Sequence, residues 1–316
     1  MRMESYYASR IRRIIAVAIL VLLVALASWL PRREHARPLV VALGMWPGSE
    51  ALVLARESAM LRQDRFKWVE LTWPSAAYRM LSNGAADVAV LPLADAESLS
   101  RAGKKVRVVY LLDESHGADG LVARQGIATI HGLKGQRVGV DARGSGRRLL
   151  LGALEHAGMS MADVEPVTLL QPEMTEALNR GDVSAVAISE PWMSPLRQSG
   201  AQILADSTPP SRPVIRAVVV SESALVGWRE QVLELLRVLE PAGKILRDGD
   251  ASASGLKWVL ARQGLSQAQF SQMLQRVIPL SVNQNKEMLR KGAIPGWDAA
   301  EVAKWVDASL IEEVEP

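Results

Sequence analysis

The stretch Leu133–Trp192 constrains this chain most. It reads as a short strand, Arg137–Val140, running through a glycine-containing loop, Gly144-Ser145-Gly146, into an apolar helix, Arg147–Ala157, that stops at Gly158. A strand at Val164–Leu170 follows, then a short helix opened by Pro172 and closed by Gly181, then a strand ending at Ser189-Glu190-Pro191-Trp192. Helical apolar spacing alternating with short apolar runs is the pattern of βαβ units and predicts a mainly parallel sheet. Where a strand's carboxyl end meets the next helix, free backbone N–H groups point outward, and open α/β sheets hold ligands there.

The same grammar runs upstream. Leu39–Leu43, Lys67–Trp73, Asp87–Leu91 and Val106–Leu112 read as strands, with helices expected at Glu50–Leu61, Ser75–Leu81 and Ala94–Ala102. Further strands are expected at Gly120–Ala123, Ala201–Ala205 and Val214–Ser221. From Trp228 onward the chain reads as mostly helical, with Pro241 as a kink or break and Ser266-x-x-Gln269 and Asp298-x-x-Glu301 as N-terminal caps. An internal echo also appears. Leu81, Gly84 and the run Asp87–Leu91 recur, 97 residues on, as Leu178, Gly181 and the run Ser184–Ile188, and a proline follows each run (Pro92, Pro191). That offset is too long for a solenoid repeat and suits two similar lobes.

A chain of 316 residues is long for one compact lobe and fits two of ~100–150 residues each. Its formal charge of +3 lies wholly within residues 1–30, where Arg2, Arg10, Arg12 and Arg13 face only Glu4. The rest is neutral, which argues against a nucleic-acid partner. There is no cysteine, and the four histidines (His35, His116, His131, His156) show no metal-ligand spacing, so neither a metal nor a cofactor is expected. The uncharged run Ile14–Leu30 behind Arg10, Arg12 and Arg13 has two readings. It is a cleaved secretory signal, with Ala25-Leu26-Ala27 as the cleavage site, or a membrane anchor with Trp29 at the interface, a reading that Arg32 and Arg33 favour. Either reading puts the remainder outside the cytoplasm.

In order and spacing, several pieces together resemble the taurine/sulfonate/nitrate and thiamine-precursor solute-binding proteins of ABC importers. They are Val40–Gly48, Ala86-Asp87-Val88-Ala89, Asp113–Ala123, Leu133–Val140, Gly144-Ser145-Gly146 and Ser189-Glu190-Pro191-Trp192. The resemblance spans about residues 39–311 and implies a type II periplasmic binding protein fold: two α/β lobes around a ligand cleft, joined by two crossing strands. The implied division is 1–38 as signal or anchor helix and joint, 39–120 plus 217–316 as lobe one with the C-terminal helices, and 121–216 as lobe two. The implied function is capture of a small solute (sulfonate, amine, pyrimidine or nitrate-like) for an ABC permease. A membrane-anchored sensor or accessory receptor with a signalling partner is the alternative. An enzyme of the thiamine-pyrimidine synthase type is disfavoured, because that chemistry depends on cysteine and this chain has none.

The residues expected at the ligand are Trp46, Asp113, Ser115, Asp119, Ser145, Gly146, Glu190 and Trp192. Ser145 and the Gly146 N–H sit where a helix N-terminus would hold an anion, though a serine there also caps its own helix. Asp113, Asp119 and Glu190 give the opposite hint, towards an amine, amidine or aminopyrimidine edge. Trp46 and Trp192, in loops beside prolines, suit an aromatic wall. Ser145 and Glu190 are expected on one cleft face, about one strand end apart.

Overall fold

The computed structural model describes residues 37–208, 213–250 and 254–315; the run Ile14–Leu30 and its two readings lie outside them. The chain begins with β1 (Leu39–Gly44), α1 (Glu50–Glu57), β2 (Phe66–Leu71), α2 (Pro74–Ser82), β3 (Val88–Pro92), α3 (Leu93–Arg101) and a long β4 (Val106–Ser115). It continues through β5 (Asp119–Ala123), β6 (Arg137–Val140), α4 (Ser145–His156), β7 (Glu165–Thr168), α5 (Gln171–Arg180), β8 (Ala185–Ser189), α6 (Met193–Gln198) and β9 (Gln202–Asp206). The return strand β10 (Val214–Ser221) leads to α7 (Glu222–Gly227), α8 (Arg229–Asp248), α9 (Leu256–Gln263), α10 (Gln267–Leu274), β11 (Val277–Pro279), α11 (Val282–Lys291) and α12 (Ala299–Val302).

These strands form two sheets, ordered β11-β4-β10-β3-β1-β2 and β7-β6-β8-β5-β9. The expected parallel character holds only in part. β1 pairs parallel with β2 and β3, and β6 with β7 and β8, but β10 and β5 run antiparallel to their neighbours. Each antiparallel intruder lies next to a segment that passes between the sheets, so it enters its sheet from the far side. Strand periodicity carries no trace of that direction.

The echo has a topological meaning. β3 and β8 each lie between a parallel neighbour and an antiparallel one (β1 and β10, β6 and β5), and each follows a helix closed by a glycine at φ 77° (Gly84, Gly181). A side chain is strained at such φ, so glycine ends both helices and turns the chain into both central strands.

Around the first sheet a single core runs from Leu39 and Val41 through Tyr110 and Val218 to Trp305. It includes the stripe Val232, Leu235, Leu236 and Leu239 of α8, which continues unbroken through Pro241. The second sheet is covered on two faces, one by Leu150 and Leu154 of α4, the other by Met174, Ala177 and Leu178 of α5 with Met193 and Leu196 of α6. Strands buried on both faces read as near-continuous apolar runs, as β8 does and as β10 does apart from Arg216.

The passage between the sheets is stapled by one hydroxyl. Ser207 Oγ lies 2.7 Å from Ser115 Oγ and accepts from the N–H groups of Gly117 (2.8 Å) and Asp119 (3.3 Å), while the Ser207 N–H donates to the Asp119 carbonyl at 2.9 Å. Both crossing segments are thereby tied at one point.

Candidate functional site

The polar centre between the sheets is built on Arg216, in the middle of β10 and only 3% exposed. Its terminal nitrogens grip the Asp119 carboxylate in a two-pronged pair at 2.8 and 2.9 Å, and its guanidinium lies 3.3 Å from the centroid of the Trp46 ring. Asp119 opens β5 and is fully buried. It also accepts from Ser189 Oγ at 2.6 Å and from the Ser145 hydroxyl. Burial opposes a charge on Asp119, but the Arg216 guanidinium and the hydroxyl donors outweigh it and hold the carboxyl below the usual range.

Trp46 is 3% exposed and packs on Ala118 and Val277. Its indole N–H points at Asp113, 3.1 and 3.0 Å from the two carboxylate oxygens. Asp113 lies inside β4 rather than in a loop after it, in register with Arg216. Burial pushes its carboxyl up to about 7, with the Asp119 charge adding to the push and Arg216 and the indole N–H resisting it. Two further carboxylates face the N-terminus of α4. Asp95, in the first turn of α3, accepts the Gly144 N–H at 3.1 Å, and Asp141 at the end of β6 accepts the Arg143 N–H at 3.2 Å. Burial raises both, Asp95 to about 6.

The structure thus gathers Trp46, Asp113, Asp119 and Ser145 around Arg216. Ser115 is buried beside them on the crossing staple. Gly146 faces β8: a side-chain carbon there would come 2.8 Å from the Ala187 carbonyl oxygen, so this glycine lets α4 lie close on the sheet. Glu190 does not share partners with Ser145. Fully buried before a cis proline, it accepts from Ser194 N and Oγ, both at 2.9 Å, at the start of α6, and pairs with Arg276 at 3.5 Å. Burial raises its pKa against those donors. Trp192 is half-buried against the α5–α6 face of the second sheet, away from Trp46. Arg216, Asp95, Asp141 and Ser189 were not singled out from sequence. For Arg216 the signal was there: a lone arginine inside a valine-rich strand needs a buried partner.

An open pocket of about 360 Å³ lies between α3 and α4, lined by Asp95, Glu97, Ser98 and Arg101 on one side and Arg143, Gly144, Arg147 and Arg148 on the other. Its volume falls within the ~300–1,000 Å³ of small-molecule sites. Among the described residues no group of three or more acidic, histidine or cysteine side chains could hold a metal ion.

Two α/β sheets meeting at a polar cleft define the architecture of two-lobed binding proteins, and the comparisons agree. The alkanesulfonate-binding protein SsuA from Xanthomonas axonopodis pv. citri, bound to MOPS, superposes with a TM-score of 0.70 over 86% of this chain and 99% of that one, at 24% identity. Residues 67–208 match the family model described as NMT1/THI5 like. The putative aliphatic sulfonates-binding protein of Escherichia coli K12 is 28% identical over 178 residues, covering 54% of this chain and 56% of that protein. The taurine-binding periplasmic protein of the same organism is 29% identical over 142 residues, 44% of this chain and 43% of that one. The resemblance seen in the sequence is therefore borne out, although the chain spans about half the length of the curated relatives it matches. The fold also serves catalysis: the desulfurization enzyme DSZB superposes with a TM-score of 0.58 over 87% of this chain and 98% of that one, at 19% identity.

Proposed function

We propose that the protein is an extracytoplasmic solute-binding protein that captures a small organic solute between its two lobes for an ABC importer. The observation that carries this reading is the cleft itself, where buried polar groups of both sheets converge on Arg216 beside an open pocket. The lobe division at residues 120/121 and 216/217, and closure of the lobes on solute, belong to the same proposal. So does the assignment of Trp46, Asp113, Asp119 and Ser145 to the solute side of the cleft, with Ser115, Gly146, Glu190 and Trp192 supporting it. Catalysis is not part of the reading.

The test is a titration of the full chain with sulfonates, amines, pyrimidines and nitrate, read by tryptophan fluorescence and melting temperature. A solute at 100 times its dissociation constant stabilises by about 2.7 kcal/mol, so a true ligand raises the melting temperature clearly. Absence of a shift with all four classes sinks solute capture, and turnover of a bound compound would replace it with an enzyme. Among the described residues no helix is long and apolar enough to cross a membrane, so tethering rests on residues 14–30. Mass spectrometry of the mature protein decides it: a chain beginning at Ser28 is released, an intact one is anchored.

A further inference from the structure

The open pocket of about 360 Å³ between α3 and α4 is lined by four arginines, Arg101, Arg143, Arg147 and Arg148, and by two carboxylates, Asp95 and Glu97. Four positive charges against two negative ones leave a surplus of two positive charges. How the arginines are held makes that surplus usable. Arg101 and Arg148 share one carboxylate, Glu97, at 2.9 and 3.2 Å. Arg143 donates to a neutral group, Ser98 Oγ, at 3.2 Å and lies over the Tyr78 ring, as Arg148 lies over the Trp297 ring. A ring beneath a guanidinium fixes its plane without neutralising it, so its N–H edge stays open to an anion. Arg147 is exposed and has no hydrogen-bond, ionic or ring partner among the described residues.

Asp95 offsets charge from the closed side. It is 5% exposed and its Oδ1 holds the Gly144 N–H at 3.1 Å. Burial lifts its carboxyl to about 6, with the Gly144 N–H and the Arg143 and Arg216 charges resisting, so at pH 7.5 it is ionised and already counted. The Ser145, Gly146 and Arg147 N–H groups, the first of α4, have no acceptor among the described residues and add partial positive charge at this end. The charges are also spread out. Asp95 and Arg101 lie near opposite ends of α3, roughly 9 Å apart along its axis. A single compact anion reaches only part of such a row, whereas a chain with an acid at each end spans it.

Resting on the solute-capture reading, we infer that the solute is an organic dianion, a short chain with an acidic group at each end, and that Arg147 is the specificity-determining residue that receives the outer one. Monoanions enter the same pocket with one charge unmatched, and so bind more weakly.

The experiment uses the full chain at pH 7.5 and fixed ionic strength, because salt screens an open pocket. The probes share one chain length: 1-propanesulfonate, 3-sulfopropanoate and 1,3-propanedisulfonate. Binding is read by melting temperature and tryptophan fluorescence. At least one of the two dianions should bind about tenfold or more tighter than 1-propanesulfonate, the ratio that two partly screened charge contacts give. Arg147→Gln should weaken dianion binding by about threefold or more and leave 1-propanesulfonate unchanged. Because Arg147 is exposed and unpartnered, the variant should melt with the parent. Arg124→Gln, which removes an exposed arginine outside the pocket lining, controls for net charge and should change neither affinity. Equal binding of monoanion and dianions, a preference that survives Arg147→Gln, or an equal loss in Arg124→Gln overturns the inference while leaving solute capture intact. If neither these compounds nor the amine, pyrimidine and nitrate panel binds, solute capture fails and takes this inference with it.

Discussion

At the scale of single residues, Arg216 and Asp119 decide the cleft. Removing one member of a buried ion pair strands the other charge and costs about 3–5 kcal/mol, whereas removing both is far milder. Arg216→Met should therefore lower stability by roughly that amount, and Arg216→Met with Asp119→Asn by much less, as denaturant unfolding of both variants would reveal. Equal damage from the single and double variants would mean that packing, not charge, dominates the site. Proton linkage makes a second residue-scale prediction. Burial raises Asp113 to about 7, Asp95 to about 6 and, beneath α9, Glu50 to about 7, against the opposing charge of Arg262. The folded state holds these protons more tightly than the unfolded chain, so stability falls as pH rises between about 4 and the folded-state values. The Asp119 carboxyl, held low, works in the opposite sense only as pH falls below the ordinary aspartate range. Ligand-free protein should thus melt higher at pH 5 than at pH 8, and Asp113→Asn should flatten that difference. A melting temperature that climbs from pH 5 to pH 8 would contradict the assignment.

At the scale of elements, β6 at Arg137–Val140 and β10 at Val214–Ser221 coincide with their sequence expectations, because short apolar runs bounded by turn residues leave little choice of ends. β4 overran its expected end by three residues and took Asp113 and Ser115 into the sheet. Local propensity sees an aspartate and a serine and predicts a loop; pairing with β10 and β11 overrides it. That is why the tryptophan, aspartates and serine could be named from sequence while their geometry could not. A partner such as Arg216 lies about a hundred residues away along the chain, and no local pattern links the two. Asp95 escaped for another reason: in a helix's first turn it looks like an ordinary dipole-complementing acid, and only the approach of Gly144 gives it a second role. Two glycines of α4 separate packing from tolerance. Gly146→Ala would push a carbon against the Ala187 carbonyl and should cost about 1–3 kcal/mol. Gly152→Ala meets nothing within 4 Å and should stabilise by roughly 0.4–1 kcal/mol. Melting curves of the two variants should move in opposite directions.

At the scale of the whole molecule, two sheets of like topology are held together by contacts of two kinds, and the kinds should respond differently to salt. The buried kind is the Arg216–Asp119 pair, 4% and 1% exposed at the side chains and shielded from ions. The outer kind is the seam from α4 to the elements packed on the first sheet, where Arg143 reaches Ser98 at 3.2 Å and the Tyr78 ring at 4.6 Å, and Arg148 reaches Glu97 at 3.2 Å and the Trp297 ring at 5.3 Å. Partly exposed contacts of this sort are worth roughly 0.2–1 kcal/mol each, too little to stabilise the fold but enough, if the two lobes close on solute as proposed, to bias an equilibrium between open and closed forms. Removing both side chains should therefore shift that equilibrium by about tenfold while leaving the melting temperature almost unchanged. Small-angle scattering of the ligand-free Arg143→Ala/Arg148→Ala protein should accordingly give a larger radius of gyration than the parent. High salt should expand the parent in the same direction and leave the variant unmoved, because the screened contacts are already gone. On the solute-capture reading, saturating solute should return both proteins to one compact radius. If the variant and the parent scatter identically without solute at low salt, the seam plays no part in closure.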